Sequence, residues 1–262
     1  MLHSKEVHTG VTTDRAAAAE GVGDSQQVPL SRRERARAAT IEEIKQTATQ
    51  LMRAHGTTDL RFSDIAREMG MTAPALYRYF ADRDELLTAL IVDAYDELGA
   101  VVADAREKAG DDVWQRFLAV AQAYRAWAKA EPERFALILG MPVPGYAAPE
   151  EGPTTEAAIR AMAQLKALFV DAATNGQLDR PMLAEVDDAV RKCCEDEQHE
   201  HPEAPQVSPE VFQAMLHCWA SLHGLASLEA HGHLEWLTPE AREAVFVSNT
   251  RLAAMTAGLP SS

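Results

Sequence analysis

Disulfides and membrane spans are the first features that this sequence lacks. Three cysteines in 262 residues are too few for a disulfide framework, and two of them, Cys193 and Cys194, are adjacent. No run approaches the ~18 consecutive apolar residues of a membrane span. The first residues have no apolar core of the kind found in secretory signals. We therefore expect a protein of the reducing cytoplasm that does not enter a membrane.

Common enzyme motifs are also absent. The sequence contains no nucleophile elbow, phosphate-binding loop, paired-carboxylate pattern or HExxH metalloprotease motif. We therefore predict no catalytic residue, no cofactor and no metal site, and expect a protein that is not an enzyme.

Charge is present in quantity but is unevenly distributed. The chain has 25 Lys and Arg against 40 Asp and Glu, for a net charge of −15. Residues 31–91 nevertheless carry ten Arg or Lys and are slightly positive, so the acidic excess lies mainly after residue 91. Such asymmetry indicates that one part of the chain contacts nucleic acid.

Hydrophobic periodicity predicts helices throughout and no strand. Apolar residues of the first helix recur at intervals of three and four up to Gly56, which is suited to a left-handed cap. We predict an all-α chain with a disordered leader at 1–30, a three-helix DNA-binding domain at 31–82 and a helical-bundle domain at 83–262. After a long helix at 82–108, further helices are expected at 112–130, 132–139, 155–174, 181–198, 209–230 and 239–257.

Residues 58–87 carry the most informative pattern. Ser63 and Thr72 can cap two short helices, and Gly70 permits a tight turn between them. Ala66 is small at the expected helix crossing, and apolar residues at 65, 69, 76 and 80 can form a shared core. This spacing is typical of a helix-turn-helix, whose second helix enters the major groove of DNA.

Side chains on and beside the second short helix are the candidate DNA contacts. Small side chains allow close approach to base edges, whereas hydroxyl and guanidinium groups can bind phosphate. The predicted contacts are Arg61, Ser63, Thr72, Ala73, Ala75, Leu76, Tyr77, Arg78, Tyr79 and Arg83. Four arginines at 32, 33, 35 and 37 are expected to precede the first helix and to follow the DNA backbone or enter a minor groove.

Residues 36–90 resemble the DNA-binding domain of the TetR family of bacterial transcriptional repressors. The resemblance rests on the Gly-Met-Thr turn at 70–72, the Leu-Tyr-Arg-Tyr-Phe run at 76–80 and a basic residue opening the next helix. That basic residue is usually Lys in the family and is Arg83 here. Downstream, residues 131–139 and Trp219, His223 and Gly224 are similar to the Trp–His–Gly class of TetR C-terminal domains. The resemblance implies an Ω-shaped homodimer whose larger domain binds a small-molecule effector.

Aromatic residues of the larger domain are candidates for the effector pocket, because such pockets are mainly apolar with a few polar groups. Ordinary core packing is the alternative, and for any single residue the more frequent outcome. The candidates are Phe117, Tyr124, Trp127, Phe169, Trp219 and His223. The dimer is expected to form through the last two helices, whose apolar stripes contain Phe212, Met215, Trp219, Leu222, Val245, Phe246, Leu252 and Met255.

The sequence therefore predicts a homodimeric regulator that represses from an inverted-repeat operator in double-stranded DNA and is released by a small, largely apolar effector. Two alternatives stay open. Cys193 and Cys194, followed by His199 and His201, could make a redox- or metal-responsive regulator, although adjacent cysteines are poorly spaced for one zinc ion. The chain could also be a helical ligand-binding protein or enzyme with a vestigial DNA module.

Overall fold

All regular structure in the computed structural model is helical. The model describes residues 31–148, 151–200, 202 and 206–261, and the predicted leader at 1–30 lies outside them. This confirms the all-α prediction, and none of the helices in these residues is long and apolar enough to cross a membrane. The helices are α1 (Arg32–His55), α2 (Phe62–Glu68), α3 (Ala73–Leu76), α4 (Arg83–Lys108), α5 (Val113–Ala130), α6 (Pro132–Leu139), α7 (Pro153–Thr174), α8 (Asp188–Glu200), α9 (Pro209–Ala230) and α10 (Pro239–Ala257).

Local capping chemistry sets the ends of the two helices that frame the N-terminal domain. The Ser31 hydroxyl accepts a hydrogen bond from Glu34 N, and the Glu34 carboxylate accepts one from Ser31 N at 2.7 Å, which completes a capping box on α1. Gly56 ends α1 in the left-handed conformation, with φ of 61°, as predicted. Asp82 accepts a hydrogen bond from Glu85 N at 2.8 Å and starts α4.

The helix predicted at 181–198 was wrong in its first half, because α8 begins only at Asp188. The irregular stretch before α8 bonds to neighbouring helices instead of to itself. The Gln213 side chain on α9 donates to the backbone carbonyl groups of Leu183 and Glu185. Hydrogen bonds to other helices take the place of the backbone hydrogen bonds that a helix would form here. The periodicity of a single sequence does not reveal such tertiary bonds.

Two hydrophobic cores organise the molecule. The first joins α1, α2, α3 and the start of α4, and its buried side chains include Ile44, Ile65 and Leu76. The second lies within the larger domain, where α5, α7, α9 and α10 meet the second half of α4 around Phe117 and Phe169. Because α4 contributes to both cores, it is the long connection between them.

A buried ion-pair cluster ties α5 to the last two helices. Arg125 donates from Nη2 to Glu229 at 2.8 Å and pairs on its other side with Glu243. Its guanidinium lies 4.3 Å from the ring centroid of Phe246. Burial opposes ionisation of Glu229, but hydrogen bonds from Arg125 and Lys129 outweigh it, so the pKa of Glu229 is below its usual value. Arg125 therefore links α5 to α9 through Glu229 and to α10 through Glu243.

We expect Arg125→Met to destabilise the larger domain by about 3–5 kcal/mol, because it leaves the Glu229 carboxylate buried without its main partner. Urea unfolding followed by circular dichroism measures the change. The double variant Arg125→Met/Glu229→Met should recover most of the loss, since apolar replacement of both partners removes the unpaired charge. A single variant as stable as the wild type would show that the cluster contributes little.

Candidate DNA-binding and effector sites

The region from α2 to α3 has the geometry of a helix-turn-helix. Gly70 adopts a φ of 63°, and Met71 N donates to Ala66 O at 2.8 Å across the turn. The second helix is short: α3 has four residues and continues as a turn, in which Tyr79 N and Phe80 N both donate to Leu76 O. Leu76 is 1% exposed and anchors this segment in the first core. One face of α3 is therefore fixed inward, and the other faces solvent.

Most of the predicted DNA contacts reach the surface. Tyr77 is 56% exposed although it is a large aromatic residue, and its ring centroid lies 5.1 Å from that of Phe62. The exposed members of the predicted set are Arg61, Ser63, Thr72, Tyr77 and Arg78, and the half-buried members are Ala73, Ala75, Tyr79 and Arg83. The prediction for Leu76 was wrong, because its side chain is buried where DNA cannot touch it.

Two predicted helix caps also differ from the structure. Arg61, not Ser63, is the N-cap of α2, so Ser63 lies inside the helix with its side chain exposed. Thr72 does occupy the N-cap of α3, but its side chain makes no capping hydrogen bond there. Its hydroxyl is not used in holding α3.

Four arginines lie in the first turns of α1, and one of them, Arg37, contacts the residues after α3. Arg32, Arg33 and Arg35 are exposed and belong to the first two turns of α1, so the prediction that they precede the helix was wrong. The capping box at Ser31 carries the helix past them. Arg37 donates to the backbone carbonyl of Arg78 at 3.3 Å, and its guanidinium lies 5.8 Å from the centre of the Tyr79 ring. Arg37 thereby braces the end of the α3 segment against α1.

Arg83 has contacts that the sequence did not indicate. Its Nε donates to Leu60 O at 3.0 Å, and its Nη2 pairs with Asp59 at 3.2 Å. Its Nη1 also lies 3.5 Å from Pro144 O in the loop after α6. These contacts use the guanidinium within the chain, so Arg83 is placed to brace α4 rather than to present a free cation to DNA.

A cavity of about 730 Å³ opens in the larger domain. Its walls are α7, between Ala158 and Ala167, and the α9 face that carries Phe212, Met215 and Trp219. Helix α4 closes it with Tyr95 and Arg106. This volume lies within the ~300–1,000 Å³ range of small-molecule sites.

The predicted ligand contacts divide between this cavity and the core. Trp219 lines the cavity. Four other candidates are buried in the second core and do not line this cavity, namely Phe117, Tyr124, Trp127 and Phe169, and their role as ligand contacts stays a prediction. These side chains pack between helices, which agrees with the alternative interpretation as ordinary core residues.

His223 lies directly behind the cavity wall. Its ring stacks on Trp219 with centroids 5.5 Å apart, and its Nδ1 lies 2.9 Å from the Tyr124 hydroxyl, within hydrogen-bond distance. Burial, with a smaller effect of His231, lowers the pKa of His223, which favours the neutral ring near pH 7. The ring of Phe135 on α6 is 5.5 Å from that of His223. Trp219 thus contacts α6 through one intervening ring.

Helix α6 and the loop after it link the cavity to the DNA-binding domain. Leu139 lines the cavity, whereas Leu137 and Val143 are buried in the first core. The Tyr95 hydroxyl donates to Ile138 O at 2.8 Å, which fixes α6 against α4. Neighbouring residues of this short segment therefore contact different parts of the molecule, some the cavity and others the first core.

An exposed face on α9 and α10 remains after both cores are filled. Val245, Leu252 and Met255 are exposed on α10, and a Cβ added at Gly224 on α9 would meet nothing within 4 Å. The other predicted interface residues have different places. Leu222 and Phe246 are buried in the second core, and three more residues line the cavity, namely Phe212, Met215 and Trp219. The residues of the predicted apolar stripes therefore divide between the second core, the cavity lining and the exposed face.

The cysteine segment does not form a metal site among the described residues. No group of three or more His, Cys, Asp or Glu side chains is arranged there to hold a metal ion, and His201 lies outside those residues. Cys193 is exposed, but Cys194 is buried beside Val207 O and Gln198. Burial raises the pKa of Cys194, which keeps it as the less reactive thiol.

Sequence reasoning missed several cavity residues. Arg106, Tyr95 and Met162 line the cavity but were not predicted to do so. Arg106 sits in the last turn of α4, where a basic residue is common for its interaction with the helix dipole. Nothing in the local pattern distinguished it from Lys108 two residues later.

Comparisons with known proteins agree with this geometry. Residues 44–90 match the family described as "Bacterial regulatory proteins, tetR family", and residues 117–251 match "Tetracyclin repressor-like, C-terminal domain". The second description does not specify the Trp–His–Gly class, so that finer assignment stays a prediction. Over 123 residues the chain is 42% identical to the HTH-type transcriptional regulator Rv1816 of Mycobacterium tuberculosis, which is 47% of this chain and 53% of that protein. The chain spans about half the length of the curated relatives that it matches.

Solved structures extend the similarity over most of the chain. The regulatory protein SCO4313 is 34% identical, with a TM-score of 0.63 over 85% of this chain and 98% of that protein. The TetR family regulator PfmR from Thermus thermophilus shares the fold at 18% identity, with a TM-score of 0.51 over 80% and 96% of the two chains. The family is one of transcriptional regulators and not of enzymes. The chain belongs to the TetR family.

Proposed function

We propose that this regulator binds an inverted-repeat operator as a homodimer, represses transcription from it, and releases it when a small, largely apolar effector occupies the cavity between α7 and α9. The observation that carries the proposal is the pairing of an exposed Tyr77–Arg78 surface on a braced α3 with a ligand-sized cavity in the same chain. Neither an effector-binding enzyme nor an architectural DNA-binding protein needs both features.

DNA recognition is proposed to use the exposed side of α3. Thr72, Tyr77 and Arg78 can reach base edges or phosphates, while half-buried Ala73 and Ala75 keep the backbone close to the groove. Arg61 and the arginines in the first turns of α1 add positive charge around this side. Because these groups neutralise phosphates and release counterions, operator affinity should fall steeply as salt rises.

Effector control is proposed to pass through α6. An occupant of the cavity contacts Leu139 directly and reaches Phe135 through Trp219 and His223. A shift of α6 moves Leu137 within the first core and so changes the position of the DNA-binding domain. Release requires the effector to bind the conformation with α6 displaced more tightly than the operator-bound conformation. Equal affinities for the two conformations would leave the equilibrium between them unchanged.

The homodimer is proposed to form through the exposed face of α9 and α10. Gly224 allows a partner helix to approach closely, and Val245, Leu252 and Met255 supply apolar area that the monomer leaves in solvent. Two α9–α10 pairs would make a four-helix bundle around the two-fold axis. An inverted repeat requires that this axis bring the two α3 helices to the same side of the dimer.

We expect Arg78→Ala to weaken operator binding about tenfold, because it removes one base or phosphate contact worth ~1–3 kcal/mol. Fragments selected from the source genome supply the operator, and fluorescence anisotropy measures its affinity. If Arg78 contacts phosphate, the slope of log affinity against log salt should also fall by about one.

Lys192→Ala is the matched control, because it removes one exposed cation from α8, far along the chain from α3. It should leave operator affinity within about twofold of the wild type. Equal affinities for Arg78→Ala and wild type, at a salt concentration where the wild type binds specifically, would contradict the proposed interface. A fold that is intact yet selects no genomic fragment would contradict DNA binding itself.

We expect Leu252→Arg to convert the dimer to a monomer, because two like charges would face each other or lie buried near the two-fold axis. Size-exclusion chromatography with light scattering measures the mass. Leu252 is 58% exposed and Leu183, in the loop before α8, is 56% exposed, so Leu183→Arg is a control of equal exposure. A Leu252→Arg variant that stays dimeric would place the interface elsewhere.

A further inference from the structure

Two side chains that line the cavity each carry a buried hydrogen-bond donor without an acceptor in the described part of the chain. Arg106 Nη1 on α4 and Trp219 Nε1 on α9 are both inaccessible to solvent and unpaired within the described residues. Both side chains line the same cavity from facing helices. Buried donors are nearly always satisfied in proteins, and an unpaired one usually marks a place for another group. Both donors belong to side chains of one cavity lining, so each can offer a hydrogen bond to a group bound there.

The charges around the cavity indicate which acceptor fits. Three charged side chains line it, and two of these neutralise each other, because Lys166 Nζ on α7 lies 2.9 Å from the Glu197 carboxylate on α8. Arg106 has no acidic partner among the described residues. The lining therefore carries one uncompensated positive charge, which a single negative charge on a ligand would balance.

Most of the remaining lining is apolar, and its uncharged polar side chains are Tyr95 and Gln164. Alanine, leucine, isoleucine and methionine side chains of α7 face Phe212, Met215 and the Trp219 ring across the cavity. Such walls favour a hydrocarbon or aromatic body. The ligand that fits must therefore join an apolar body to one anionic group.

We propose that the effector is an amphipathic monocarboxylate whose carboxylate accepts hydrogen bonds from Arg106 and Trp219 Nε1 while its apolar body packs between α7 and α9. This inference rests on the proposed function of the cavity and adds the chemical class of its ligand. A guanidinium binds a carboxylate through parallel charge-assisted hydrogen bonds, and an indole N–H can donate to the same oxygen pair. A neutral alcohol of equal length would leave the Arg106 charge without a counterion.

The test compares decanoic acid with 1-decanol, and biphenyl-4-carboxylic acid with biphenyl-4-methanol, by isothermal titration calorimetry on the full chain at pH 7.5. Carboxylic acids are ionised at this pH. We expect at least one acid to bind at least tenfold more tightly than its alcohol. Arg106→Met should abolish this preference, and Trp219→Phe should reduce it several-fold while keeping an aromatic wall.

Lys108→Met is the matched control, because it removes a cation from the same last turn of α4 without changing the cavity lining. It should keep the preference for acids. Acids and alcohols that bind equally, binding by neither acid, or a preference unchanged in Arg106→Met would each overturn the carboxylate proposal.

A parallel operator-binding assay separates this inference from the function on which it rests. If an alcohol binds and releases the operator as well as its acid does, the regulator proposal stands and the carboxylate class is wrong. If an acid binds in a manner that depends on Arg106 but the operator stays bound, the ligand class stands and the proposed release is wrong.

Discussion

The structure depends on one short helix that belongs to both hydrophobic cores. Within the eight residues of α6, Phe135 is fully buried in the larger domain, whereas Leu137 is buried in the DNA-binding domain. Burial of a side chain of this size contributes roughly 1.5–3 kcal/mol to the free energy of unfolding. A shift of α6 would reduce the burial of both side chains. Close-packed cores do not deform continuously, so we expect any shift of α6 to occur between discrete positions.

Polar contacts hold α6 in its present position. Tyr95 donates to Ile138 O from α4, and Arg53 of α1 pairs with Glu131, which precedes α6. Arg134 on α6 pairs with Glu97 on α4 at 2.6 Å. Desolvation opposes ionisation of Glu97, but Arg134 and Trp127 outweigh it and lower its pKa. These contacts are partly exposed, so each contributes little stability alone.

Much of this architecture could be predicted from the sequence. Glycine caps, proline starts and apolar periodicity located α5, α6, α9 and α10 closely, because those signals are local in the chain. The site residues were predicted less well. An apolar residue at helical spacing can face a core, a cavity or solvent, and these three outcomes occur within two helices at Phe246, Phe212 and Leu252.

The residues that sequence reasoning missed or misplaced have tertiary causes. Arg83 was expected to contact DNA, but it bonds to Leu60 O because the fold brings the loop before α2 against the start of α4. Arg106 was not predicted to line the cavity, because it does so together with Trp219, which is far away in the sequence. Pairings of this kind depend on how helices cross, and periodicity within one helix carries no information about them.

Helix α6 is proposed to couple the cavity to the DNA-binding surface, and coupling between two sites acts in both directions. Hydrogen exchange on the free and operator-bound protein tests it most directly, because it needs no knowledge of the effector. We expect operator binding to slow amide exchange in α2 and α3 and also in α6 and residues 141–146. Protection confined to the DNA-binding domain, with exchange in α6 unchanged, would contradict it.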